Sequence, residues 1–90
     1  MNILEFENWA WQHEKVKVFV RAPLSTQVKV DSPDAAMFSS GNTVRQFKQM
    51  RLSVILENLE YVIFDASMNE ASGDMKLLDL RKGYREKNII

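Results

Sequence analysis

His13 is the only histidine in the 90 residues, and it limits the acid–base and metal chemistry open to the chain. One imidazole excludes a zinc site built on two or three histidines of one chain. Cysteine is absent, which removes thiolate ligands, thiol nucleophiles and any disulfide framework. No serine sits in a nucleophile-elbow pattern that would support a Ser-His-Asp arrangement. Gly41, Gly73 and Gly83 are too scattered to cradle a phosphate. The stretch from Asp65 to Asn69 spaces its oxygen atoms as a calcium loop does. Glu70 then stands where the sharp turn needs glycine, and Lys76 where a bidentate carboxylate must sit, so the cation is repelled. Glu57 and Glu60 lack a neighbouring base and read as a solvated acidic face. The sequence therefore assigns no catalytic, cofactor or metal residues, and the chain reads as a non-enzyme.

Aromatic rings interleaved with basic residues carry more chemical content. Trp9, Trp11, Lys15, Lys17, Phe19 and Arg21 occupy odd positions over a short span. On one extended strand they would share a face, an aromatic-basic platform on which single-stranded nucleic acid can stack its bases. In a helix over residues 2–13, Trp9 and Trp11 point about 160° apart, because each residue turns ~100°. The platform then breaks up, and one tryptophan packs inward.

The elements around these residues favour the helix. Asn2 followed by Glu5 has the form of a capping box, and Ile3, Phe6, Trp9 or Ala10, and His13 follow at helical spacing. Alternation begins only at Val16. Val16, Val18 and Val20 alternate with polar or aromatic residues, as do Val28 and Val30, with Pro23 to Thr26 between them. This predicts a hairpin over 15–31 with valines inward and a basic outer row. Ser32-Pro33 predicts a short helix through Phe38. Thr43 caps a further turn holding Val44, Phe47 and Met50. Leu52, Val54 and Leu56, then Leu59, Tyr61 and Ile63, alternate around Glu57-Asn58 and predict a second hairpin within 51–64. The rival, one helix from Thr43 to Phe64, places Lys48, Arg51 and Asn58 inside its apolar sector. Asp74 caps a last helix with Leu77, Leu78 and Leu80 inward, Arg81 and Lys82 in its last turn and Gly83 just past its end. The expected fold is α+β: a small antiparallel sheet, from hairpin 15–31 plus strands within 51–64, with short helices on one face. A small all-β barrel is the runner-up.

The length fits a single domain over residues 1–90, with 84–90 as a flexible tail. The opening residues lack a basic region and carry Glu5 and Glu7 where a signal peptide needs apolar residues. No apolar run approaches a membrane span. A soluble, cytoplasmic protein without membrane contact is expected.

Twelve basic residues balance twelve acidic ones, in blocks. Residues 1–14 carry −3, residues 15–52 carry +5, residues 53–80 carry −5 and residues 81–90 carry +3. A zero total argues against a dedicated double-stranded DNA binder, whose affinity depends on many phosphate contacts. The expected function is a small intracellular interaction module, a regulator or inhibitor that binds another protein. Trp11, Phe19, Arg21, Tyr84 and Arg85 are the expected contact residues, since interface anchors favour Trp, Tyr and Arg. Phage and mobile-element regulators of this size offer an analogy, and an open strand edge invites homodimerisation. The alternative is a single-stranded nucleic-acid binder using Trp9, Trp11, Lys15, Lys17, Phe19 and Arg21.

Overall fold

The structure, a computed structural model, describes residues 1–89. Asn2 opens the first helix through the expected capping box. Its side chain accepts from the Glu5 N–H at 2.8 Å, and the Glu5 carboxylate accepts from the Asn2 N–H at 2.9 Å. α1 (Ile3–Trp9) continues through a π-helical turn (Ala10–Glu14) and stops at Lys15, whose φ of 57° is left-handed. Ile3, Phe6 and Ala10 are buried. The helical reading of residues 2–13 holds, and no strand runs back through Trp11 and Trp9.

β1 (Lys17–Arg21) buries Val18 and Val20 and turns Lys17, Phe19 and Arg21 outward. It pairs antiparallel with β2 (Glu60–Phe64), setting Lys17 opposite Phe64, Phe19 opposite Val62 and Arg21 opposite Glu60. Together with the helices this two-stranded sheet makes a small α+β fold among the described residues. The partner of β1 differs from expectation, however. The hairpin over 15–31 does not form, and β1 finds its partners elsewhere. β2 takes one edge, and on the other the Glu7 carboxylate of α1 accepts the Val20 N–H at 2.9 Å. Val28 instead exchanges backbone bonds of 2.8 and 2.9 Å with Met1. The turn around Pro23 survives, with the Thr26 N–H bonded to the Pro23 carbonyl at 2.9 Å.

Residues 43–56 correct a second expectation. Thr43 caps α2 (Val44–Phe47) through a capping box with Gln46, as its position suggests. The chain then stays helical through a π-helical turn (Lys48–Leu52) and α3 (Ser53–Leu56). Leu52 and Leu56 are therefore helical, and only the residues after Asn58 form a strand. The π turn explains why neither sequence reading fits. Val44, Phe47, Leu52 and Leu56 are the buried residues of this helix, and the step from Phe47 to Leu52 is one residue longer than a regular helix allows. That extra residue brings Leu52 and Leu56 onto the buried side and breaks the 3.6-residue period that would have revealed the helix.

The Ser32-Pro33 start gives one turn and no helix: Ala35 N–H bonds to Ser32 at 3.0 Å, and residues beyond run irregularly. α4 (Leu77–Glu86) begins without a side-chain cap, because loop carbonyls do that work. Leu77 and Leu78 donate to Asn42 and Ser40 at 2.9 and 3.0 Å, while Asp74 pairs with Arg45 at 2.6 Å. The helix also runs through Gly83 to Glu86, so the first residues of the expected tail are helical. Ile90, its last residue, lies outside the described residues.

Candidate docking face on the sheet

The inner face of the sheet sits on the core, where Val18, Val20 and Ile63 are buried with Phe6, Phe47, Leu80 and Tyr84. The outer face is different. Phe19 stands 45% exposed near its centre, with Val62 opposite and Phe64 meeting it edge-on at 5.2 Å. Arg21 and Glu60 face each other across one end of the ladder at 3.9 Å. At the other end the Lys17 ammonium lies over the Trp11 ring, 5.4 Å from its centre. Two shallow hollows meet at Phe19. One is bounded by Arg21, Glu60, Tyr61 and Phe64, the other by Glu7, Asn8, Trp11 and Lys17.

Tyr84 holds this face from beneath. Its hydroxyl accepts from the Lys17 N–H at 3.2 Å and donates to the Phe64 carbonyl, so it bridges the last residue pair of the ladder. Its ring meets Trp11 edge-on at 5.2 Å. Burial pushes the Tyr84 phenol up to about 12, outweighing the opposing effect of the Lys17 hydrogen bond. With 0% exposure Tyr84 cannot touch a partner, so its expected role as a contact residue is corrected to that of a support.

A second polar constellation lies inside. Glu14, fully buried, pairs through one carboxylate oxygen with Arg51 and accepts the Phe38 N–H on the other at 2.8 Å. Arg81, 3% exposed, donates twice to the Glu14 carbonyl (3.0 and 2.8 Å) and reaches the Phe38 carbonyl and Ser40 hydroxyl at 2.8 Å each. Burial lowers the Arg81 guanidinium from its ordinary range, and the Glu14 charge opposes that shift. Trp9 Nε1 donates to the Pro33 carbonyl at 2.9 Å, His13 Nε2 meets the Ala35 carbonyl, and Arg51 donates to Ala36 at 2.9 Å. A helix over 32–38 would bond the Pro33 carbonyl and the Phe38 N–H internally; here Trp9 and Glu14 take them, and no helix forms. His13 is stacked on Trp9 and points Nε2 at a carbonyl, which makes it a tie to the loop. Among the described residues no group of three or more His, Asp or Glu side chains is placed to hold a metal ion.

Comparison with models of protein families, with curated proteins and with solved structures gives no match. The geometry alone describes the site. Of the expected protein-contact residues it brings Trp11, Phe19 and Arg21 to one surface; Arg85 is exposed on α4 and lines neither hollow. Of the aromatic-basic set it keeps Trp11, Lys17, Phe19 and Arg21 together. Trp9 turns away to Pro33, and Lys15 is the exposed left-handed residue that ends the first helix. Glu60, Val62 and Phe64 join this face through the pairing of β2 with β1, which the alternation within 51–64 does not reveal. Nothing in the sequence distinguishes Glu14 or Arg81 from surface charges.

Proposed function

We propose that the chain is a small non-enzymatic interaction module, a regulator or inhibitor in the cytoplasm that docks another protein on the outer face of its sheet. One observation carries the reading: Phe19 is half exposed at the centre of an apolar patch with Val62 and Phe64, on a face that no helix covers among the described residues. An apolar centre with a charged rim is the anatomy of a protein interface. Arg21, Glu60, Lys17 and Glu7 supply a rim of both signs. Trp11 and Arg21 at the margins are residue types enriched among binding hot spots.

A second reading follows from the same face, since Trp11, Lys17, Phe19 and Arg21 could stack and neutralise single-stranded nucleic acid. Glu60 and Glu7 beside them leave the face without a basic surplus, which favours the protein partner.

The test is capture from native lysate by wild-type chain and by Phe19→Asp, with sedimentation of the isolated chain. The proposal expects specific proteins retained by wild type and lost with Phe19→Asp. A monomer that captures nothing, or identical capture by both proteins, overturns it. Salt-sensitive quenching of tryptophan fluorescence by oligonucleotides, abolished by Phe19→Asp, would transfer the face to nucleic acid.

A further inference from the structure

A groove runs between the segment that follows the Pro23 turn and the helix formed by α2, its π turn and α3. Gln27 and Lys29 lie along one bank, with Val54, Ile55 and Met50 along the other. The groove shares no lining residue with the hollows around Phe19.

Its two banks call for the same kind of occupant. Val28 turns both its N–H and its C=O to Met1. Directions alternate along an extended chain, so Gln27 and Lys29 turn their backbone groups to the opposite edge. No described residue bonds them there. An edge of unpaired N–H and C=O groups is a template for another strand. On the other bank Met50 and Val54 are 64% and 67% exposed, although Leu52 and Leu56 of the same helix are buried. A strand laid in the groove would present every second side chain to that apolar wall. Nucleic acid and lipid have no alternating N–H and C=O groups to offer, whereas an extended peptide has both.

We infer that this groove binds an extended peptide segment of a partner protein, paired through its backbone to Gln27 and Lys29, with alternate apolar side chains against Met50 and Val54. Strand addition gives affinity through main-chain bonds and selectivity through the side chains of one parity. Lys29 and Asp31 pair at 3.5 Å in solvent, so the rim carries both signs and the apolar alternation sets the preference. The inference stands apart from the sheet-face proposal and can hold if that one fails.

The experiment pans a phage-displayed library of random dodecapeptides against the full chain, then measures synthetic versions of the selected peptides by titration and amide NMR. Selected peptides should alternate apolar and polar residues, shift the amide signals of Gln27 and Lys29, and slow their hydrogen exchange. Lys29→Pro removes a backbone donor that has no partner among the described residues, and Val54→Lys charges the wall; each should weaken binding roughly tenfold. Phe19→Asp should leave it unchanged. Failure to select any peptide above background, binding insensitive to both groove variants, or shifts confined to other residues overturns the inference. A concentration-dependent dimer dissolved by Val54→Lys would overturn it too, by giving the groove to a second copy of the chain.

Discussion

Glu14 and Arg51 each lie in a π-helical turn, and their side chains pair with each other across the fold. Glu14 is completely buried, and Arg81 approaches its other carboxylate oxygen at 4.0 Å. The network is fully bonded, since no buried side-chain nitrogen or oxygen among the described residues lacks a partner. Through it α1, the helix over 44–56, α4 and the loop from Pro33 to Ser40 are joined. Paired buried charges contribute little net stability by themselves, yet removing one partner is costly because the other stays buried and uncompensated.

Glu14→Ala is therefore expected to destabilise the chain by about 3–5 kcal/mol. That is a large part of the ~5–15 kcal/mol of a small domain. Glu14→Gln, which keeps one acceptor, should cost less. Urea denaturation midpoints of the two variants check the order, and equal midpoints to wild type would show that the network is not stabilising.

Tyr84→Phe keeps the buried ring and removes the hydroxyl between Lys17 and Phe64. It should cost about 1–3 kcal/mol, because two backbone groups lose their partner inside the fold. Faster amide exchange at Lys17, with the middle of the β1–β2 ladder unchanged, would locate the effect.

The same hydroxyl sets an alkaline limit. The phenol ionises at 10.0 in its ordinary state and at about 12 in the fold, so the unfolded chain releases the proton first. The contribution of Tyr84 is fully present below pH 10 and is lost as pH rises toward 12. Denaturation midpoints against pH should fall more steeply in this window for wild type than for Tyr84→Phe. Near-ultraviolet absorbance should show one of the two tyrosines titrating late.

Two glycine exchanges should raise stability. The turn after α3 closes with a 2.9 Å bond from Leu59 N–H to the Leu56 carbonyl, and Glu57 takes φ 50° and ψ −111°. That is the first central position of a type II′ turn, where glycine is preferred. Glu57→Gly should gain about 0.5–1 kcal/mol by removing the steric cost. Gly83→Ala should gain a similar ~0.5–1 kcal/mol, since Gly83 is inside α4 and a new Cβ would meet Ala66 Cβ at an ordinary 3.8 Å. Thermal melts of both single variants check the sign.

Phe19→Asp should change stability by less than about 1 kcal/mol, as for an exposed position outside the packed core. A large loss of stability would mean that Phe19 serves the fold through Phe64, and its exposure would then be weak support for docking.

Local chemistry was enough to read several parts of this protein from its residues. Asn2 with Glu5, three residues apart, announces one helix start and Thr43 a second, while the Gln46 side chain that completes the Thr43 cap emerges only in the fold. The alternation at Val18 and Val20 announces β1, and Glu57-Asn58 announces a tight turn. The α+β class follows from those signals together. What they could not supply was the partner of each element. β1 could pair forward with residues 27–31 or across the chain with β2, and the folded chain takes the second, with Val28 bonded to Met1 and Glu7 on the other edge of β1. The inserted residue in the helix over 44–56 hides its period, and the gain from burying Leu52 and Leu56 is visible only in the packed core. The loop at Pro33 is irregular because Trp9, His13, Glu14, Arg51 and Arg81 converge on it from three helical segments. The outer face of the sheet has the same origin. Phe19 was legible as an outward residue, but Val62, Phe64 and Glu60 join it only because long-range pairing brings β2 alongside.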